Sequence, residues 1–197
     1  MITPLPFVWP YLVVFWPVYL WVFAPEFGLL KKTRVAGPAP VEDRGSIRVV
    51  VLAFGLSSTA AYLLAFFAPG ATIRSFRVPC FLVGVLALVA GSVLRRRCFL
   101  ELGKFFTGAV TIQSDHRLID TGPYRFVRHP SYSAALLILL GIGLALTNWL
   151  SIAVCVVVGL LGYSYRAHVE EQALLSALGT SYAEFMATRK RFIPFVY

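Results

Sequence analysis

Apolar residues fall into five runs separated by polar segments. The first extends from Leu5 to Ala24 and contains Pro6, Pro10 and Pro17, which kink a helix but are tolerated in a bilayer where neighbours satisfy the freed carbonyls. The second goes from Val49 to Ala68 and the third from Cys80 to Leu94, where Arg95-Arg96-Arg97 is expected to stop it. The fourth, Pro130 to Leu146, and the fifth, Trp149 to Tyr163, are parted only by Thr147-Asn148, which predicts a tight antiparallel helical hairpin. Small residues along the fourth run (Ser133, Ala134, Ala135, Gly141, Gly143, Ala145) predict close approach of the hairpin's two backbones. Between the third and fourth runs, alternation in Ala109–Ile112 and Arg117–Asp120 predicts two short extended pieces before a Gly122-Pro123 turn.

This pattern predicts an all-α integral membrane protein of about five transmembrane helices. Residues 1–93 would form an N-terminal group of spans, and residues 94–197 a second region holding the connecting segment, the last hairpin and the tail. Of 197 residues, 58% are hydrophobic and the mean hydropathy is +0.76, too apolar for an ordinary soluble domain. The net charge of +9 would point to nucleic acid in a soluble protein. Here it reads as topology, and no nucleic-acid partner is expected. With the N-terminus outside, all but Arg74 and Arg77 of the 18 Lys and Arg residues fall on the inside, as the positive-inside rule requires. The C-terminus would then be cytoplasmic. No positive n-region precedes the first run and no small-residue cleavage site follows it, so it reads as a retained span. Cys80, Cys98 and Cys155 form no framework, and His116, His129 and His168 have no metal-ligand spacing, so no metal is expected.

Two polar stretches stand out against this background. Gly122 to Tyr132 packs two arginines, a histidine, two tyrosines and two prolines against the lip of the fourth run. Clustered polar residues in such a place mark a site. Pro130 fits the first turn of the following helix, which puts His129 at the cap, and the free N–H groups there would suit an anion such as a carboxylate. In the tail, Arg166 and Glu170 are helical neighbours four apart, Glu171 follows, Gly179 is a helix stop, and a short helix would start near Thr180 or Ser181 and end near Thr188. Blander readings stand beside these. Arg166 with Glu170 fits a helix-surface ion pair, Arg95–Arg97 fit an anchor on lipid phosphates, and Tyr182 with Phe185 fit packing. His168 fits an exposed interfacial position, Cys155 a small core residue, and the basic and aromatic end from Arg189 to Tyr197 the membrane interface.

Arg128–Tyr132 (RHPSY), the tight hairpin, Arg166-x-x-x-Glu170-Glu171 and the RFIP ending at Arg191–Pro194 together resemble the isoprenylcysteine carboxyl methyltransferase family, over about Leu94 to Tyr197. The resemblance implies a membrane enzyme using S-adenosylmethionine, with its cofactor site on the cytoplasmic side, formed by the connecting segment and the last hairpin. It implies that Gln113, His116, Arg117, Leu118 and Ile119 line the cofactor. Arg117 stands where the family has a small polar residue. It further implies cofactor contacts from Tyr124, His129, Pro130, Ser131, Tyr132 and Glu170, with Arg166 and Glu170 catalytic and Arg166 next to the methyl acceptor. The acceptor would be the carboxylate of a prenylated cysteine or another lipid-like molecule reached from the membrane lipids. The alternatives are a phospholipid N-methyltransferase and a sterol-reductase-like membrane protein binding NADPH. Glu170-Glu171 favour a methyltransferase, because an anionic dinucleotide calls for basic residues. The short chain leads to the expectation of a prokaryotic inner-membrane protein.

Overall fold

The structure, a computed structural model, describes residues 2–33, 43–105 and 118–194. Its long elements are six helices: α1 (Leu12–Thr33), α2 (Ser46–Phe67), α3 (Arg77–Leu102), α4 (Pro130–Ala145), α5 (Trp149–Leu178) and α6 (Thr180–Thr188). Among the described residues there is no strand, only the isolated bridges Thr72–Asn148 and Val127–Lys190. The Ala109–Ile112 piece lies outside the described residues, as does Arg117. Leu118–Asp120 is irregular and pairs with nothing in a ladder.

Among the described residues, three helices (α2, α3 and α5) are long and apolar enough to cross a membrane by length and composition. The apolar part of α1, Leu12–Ala24, and α4 are shorter. At 1.5 Å per residue the 16 residues of α4 rise about 24 Å, a little under the hydrocarbon thickness of a bilayer. The chain is thus a multi-pass, membrane-embedded helical protein.

Helix α3 does not stop at Leu94, as the three arginines suggested. It continues through them to Leu102. Hydropathy marks where a segment leaves an apolar environment, whereas arginine is itself a good helix former. Two of these arginines also turn into the protein instead of toward lipid phosphates. Arg95 donates to the Ser131 carbonyl at 3.1 Å, and Arg96 donates to the Trp21 carbonyl at 2.8 Å while lying over the Trp21 ring. The division expected after residue 93 falls inside this helix.

The hairpin forms where predicted. Thr147 adopts a left-handed conformation (φ 54°), and Asn148 caps α5 by accepting from the Leu150 and Ser151 N–H groups at 3.0 and 3.1 Å. The Asn148 amide also donates to the Ala68 carbonyl at 3.0 Å, which ties the hairpin to the end of α2. The small residues of α4 mostly serve a different neighbour from the one expected. A Cβ on Gly84 of α3 would lie 2.4 Å from the Ala145 nitrogen and 2.8 Å from the Gly141 carbonyl, and one on Gly91 would lie 2.9 Å from the Ala134 carbonyl. The closest backbone approach is therefore α3 against α4, and of the small residues named on α4, Gly143 meets α5, at Ile152.

The apolar core between the helices includes Phe15, Phe81, Leu88, Leu139 and Ile142, all fully buried. Cys155 is also buried there, as a small core residue. Helix α5 runs well past Tyr163 and ends at Gly179, whose φ of 55° favours glycine. Gly179, rather than Thr180 or Ser181, is the residue before α6. Tyr182 and Phe185 of α6 are buried as packing residues, and His168 is exposed.

Candidate active site

The polar site begins at the start of α4. Pro130 occupies the first turn, where its missing N–H leaves no helical bond unmade, and His129 is the cap residue. The His129 side chain does not cap the helix. Its ring is buried and points across to α5, with Nε2 3.1 Å from Glu171 Oε1 and Nδ1 3.4 Å from Glu170 Oε2. One turn into α4, Tyr132 stacks on this imidazole with ring centroids 5.1 Å apart. The carboxylates of Glu170 and Glu171 thus meet the imidazole and not the N–H groups of the helix start.

Tyr132 is the junction of the site. Its hydroxyl donates to Glu170 Oε2 at 2.5 Å and accepts from Arg166 Nε at 3.1 Å. Arg166 is only 5% exposed, so it is no helix-surface residue. Its Nη1 donates to Asp43 Oδ1 and, at 2.6 Å, to Ser46 Oγ. A chain of buried or half-buried polar contacts therefore runs from Asp43 through Arg166, Tyr132, Glu170 and His129 to Glu171. Buried charges persist only when paired, and each charge in this chain has an opposite neighbour.

A strap formed by Lys190–Phe192 closes the far side. The Arg128 N–H donates to the Lys190 carbonyl at 2.9 Å and the His129 N–H to the Arg191 carbonyl at 3.0 Å. Ser133 Oγ donates to the Phe192 carbonyl at 2.6 Å. Arg191 grips Glu171 with Nε (3.2 Å) and Nη2 (2.6 Å), and Arg128 Nε lies 3.1 Å from Glu171 Oε1. Phe192 is buried against the His129 and Tyr132 rings. Of this basic and aromatic end, Arg191 and Phe192 build the site. Phe195–Tyr197 lie outside the described residues.

The charge state of His129 follows from this geometry. Burial alone would lower its pKa, but the two carboxylates hold it above its usual value, since both ring nitrogens must donate. Tyr124, on the 3-10 turn Gly122–Arg125, is buried, and burial pushes its hydroxyl upward. Among the described residues its Oη has no hydrogen-bond partner of normal geometry, although Cys98 and Ser131 are near. An orphaned buried hydroxyl beside this cluster is a contact in want of a ligand.

Of the residues expected at the site, Tyr124, His129, Pro130, Ser131, Tyr132, Arg166 and Glu170 gather at one end of the bundle. Pro130 and Ser131 are buried, and Leu118 and Ile119 are half-buried in irregular chain just before them. Gln113, His116 and Arg117 lie outside the described residues. Phe126 is 57% exposed under the Arg125 guanidinium. Asp43, Ser46 and Arg191 were missed. Asp43 sits in a polar loop that reads as topology, and its contact with Arg166 spans 123 positions.

Comparison with known proteins extends this picture. The model of the isoprenylcysteine carboxyl methyltransferase family matches residues 82–176. Protein-S-isoprenylcysteine O-methyltransferase B of Arabidopsis thaliana is 30% identical over 115 residues, 57% of this chain and 58% of that protein. A probable protein-S-isoprenylcysteine O-methyltransferase of Oryza sativa subsp. indica is 32% identical over 116 residues, 58% of this chain and 61% of that protein. The protein-S-isoprenylcysteine O-methyltransferase of Saccharomyces cerevisiae is 32% identical over 119 residues, 59% of this chain and 50% of its own. The chain thus spans less than two thirds of the length of these relatives. The solved structure of the eukaryotic intramembrane Ras methyltransferase, an isoprenylcysteine carboxyl methyltransferase, superposes with a TM-score of 0.63, at 22% identity, over 94% of this chain and 71% of that one. Residues 82–176 are thus similar to the isoprenylcysteine carboxyl methyltransferase family, and the chain shares the membrane fold of the solved intramembrane methyltransferase.

Proposed function

We propose that the protein is a membrane methyltransferase that uses S-adenosylmethionine to methylate the carboxylate of a prenylated cysteine or a similarly lipid-like acceptor. Residues 94–197 are its catalytic region, with the N-terminus outside and the C-terminus cytoplasmic. The plant and yeast relatives give no support to the prokaryotic membrane expected above. The observation that carries the reading is the buried joint at Tyr132, which couples an arginine suited to an acceptor carboxylate with a glutamate suited to a cation.

The residues present fit the methyl donor. The buried Tyr124 hydroxyl, without a partner among the described residues, offers a contact, and Glu170 supplies negative charge. Gln113, His116, Arg117, Leu118 and Ile119 complete the lining in this reading. S-adenosylmethionine, when bound, supplies an electrophilic methyl group on a sulfonium. Glu170, held in place by Tyr132 and His129, stabilises positive charge at that point. Arg166 orients the acceptor carboxylate by a charge-assisted contact. A free α-carboxyl titrates at about 3.5 and is ionised at neutral pH, so no general base is needed. An amine acceptor would need its proton removed, and the carboxylates of Glu170 and Glu171 are already committed to other partners.

Calorimetric titration of S-adenosylmethionine into the detergent-purified protein tests the reading. Micromolar binding is expected, with a loss of about 1.5–3 kcal/mol in Glu170→Gln, the value of a charged hydrogen bond. Absence of binding to well-folded wild type would remove the cofactor assignment.

A further inference from the structure

We propose that Asp43 is a specificity-determining residue of the acceptor site: its carboxylate holds the place on Arg166 that an acceptor carboxylate takes. The proposal rests on the methyltransferase reading above and adds a selection step to it. Arg166 is buried on α5 and already carries a carboxylate, that of Asp43, which is itself 8% exposed. The same guanidinium reaches Glu170 through a single intervening atom, Tyr132 Oη. A carboxylate bound to this arginine is thus adjacent to the acid assigned to the methyl donor.

The physical consequence is a choice between ligands. A buried guanidinium stripped of its counter-ion costs several kcal/mol. An incoming carboxylate can replace Asp43 one for one, leaving the number of buried ion pairs unchanged. A neutral ligand of the same shape cannot, because it would leave Arg166 unpaired or would have to bind beside the existing pair. Asp43 therefore excludes neutral acceptors and admits anionic ones, at the expense of weakening the latter.

Asp43 sits on the turn before α2, where Ser46 Oγ also donates to its Oδ1 at 3.1 Å. It lies outside α2, two residues before Gly45, and its Oδ2 accepts from the Ile47 N–H at 3.2 Å. Arg44 beside it has a φ of 44°, an uncommon left-handed conformation for a side-chain-bearing residue. Besides the buried contacts of Arg166 with Asp43 and Ser46, exposed hydrogen bonds join the turn to α5, among them Arg44 Nη1 to Gln172 Oε1 at 3.1 Å and Tyr165 Oη to the Arg44 carbonyl at 3.4 Å. Exposed bonds of this kind exchange readily with water.

The test compares a farnesyl thioether ending in a carboxylate with its primary amide, by equilibrium binding to wild type and Asp43→Asn in detergent. Asparagine keeps a side-chain oxygen that can accept from the Ile47 N–H, so the start of α2 is preserved. The proposal predicts that wild type binds the acid but not the amide, and that the variant binds both, the acid at least about tenfold more tightly than wild type does. Equal or weaker binding of the acid to the variant, or no binding of the acid to either protein, would overturn it. A second measurement needs no variant: in wild type, the acid but not the amide should speed hydrogen exchange at the Ile47 amide. Unchanged or slowed exchange on acid binding would equally overturn it. Transfer of labelled methyl groups to acceptors judges the underlying reading separately, so a wild type that transfers methyl but fails these tests loses only the role of Asp43.

Discussion

The His129 imidazole and the Glu171 carboxylate meet at 3.1 Å although 42 positions separate them. That contact joins the cap of α4 to α5, and Arg191 completes it from the C-terminal strap at 2.6 Å. Glu171 is 4% exposed at the side chain and serves three cations, His129, Arg128 and Arg191. Removing it leaves buried positive charge unpaired. Glu171→Ala is expected to destabilise the protein by about 3–5 kcal/mol, measured by unfolding in mixed micelles. A change under about 1 kcal/mol would mean that the strap and the hairpin do not depend on this carboxylate.

The same pair sets a pH dependence. The folded-state pKa of His129 lies above its ordinary value of 6.5. Its stabilising contribution is then fully present below pH 6.5 and is lost as pH rises through the raised value. The thermal midpoint of wild type should fall toward alkaline pH more steeply than that of His129→Gln. Parallel pH profiles for the two proteins would show that the imidazolium is not what holds the carboxylates.

Tyr132 gives a sharper test of the joint. Tyr132→Phe keeps the stacked ring but removes the hydroxyl between Glu170 and Arg166. About 1–3 kcal/mol of stability should be lost, and methyl transfer should slow by about tenfold or more. Wild-type turnover in this variant would separate Arg166 from Glu170 functionally.

At the opposite face of α4 the prediction is steric. Gly84→Ala would place a methyl group 2.4 Å from the Ala145 backbone nitrogen, where no flexible side chain can yield. Helices α3 and α4 would have to part, at a cost of about 1–3 kcal/mol. Thermal unfolding of the variant checks it, and an unchanged midpoint would contradict the close crossing.

The sequence made some of these relationships legible and hid others for physical reasons. Periodic apolar runs, Pro130, Thr147-Asn148 and Gly179 act locally, so the helix starts, the hairpin and the α5 stop could be read from neighbours in the chain. The cluster at His129–Tyr132 with Arg166 and Glu170 was legible because its residues are costly at the lip of a span. Asp43 and Arg191 were not, because an acidic residue in a basic loop and a basic residue in a basic tail carry no local sign of a distant partner. Arg95–Arg97 misled in the other direction, since the chain leaves the apolar environment there without leaving the helix.

The central claim is tested most directly by methyl transfer. Purified protein in liposomes would be given S-adenosylmethionine labelled in its methyl group, with either a farnesylated cysteine bearing a free carboxylate or an aminophospholipid as acceptor. The account predicts a base-labile methyl ester on the farnesylated cysteine, lost in Arg166→Ala. Label appearing only on the aminophospholipid nitrogen, or on neither acceptor, would contradict it.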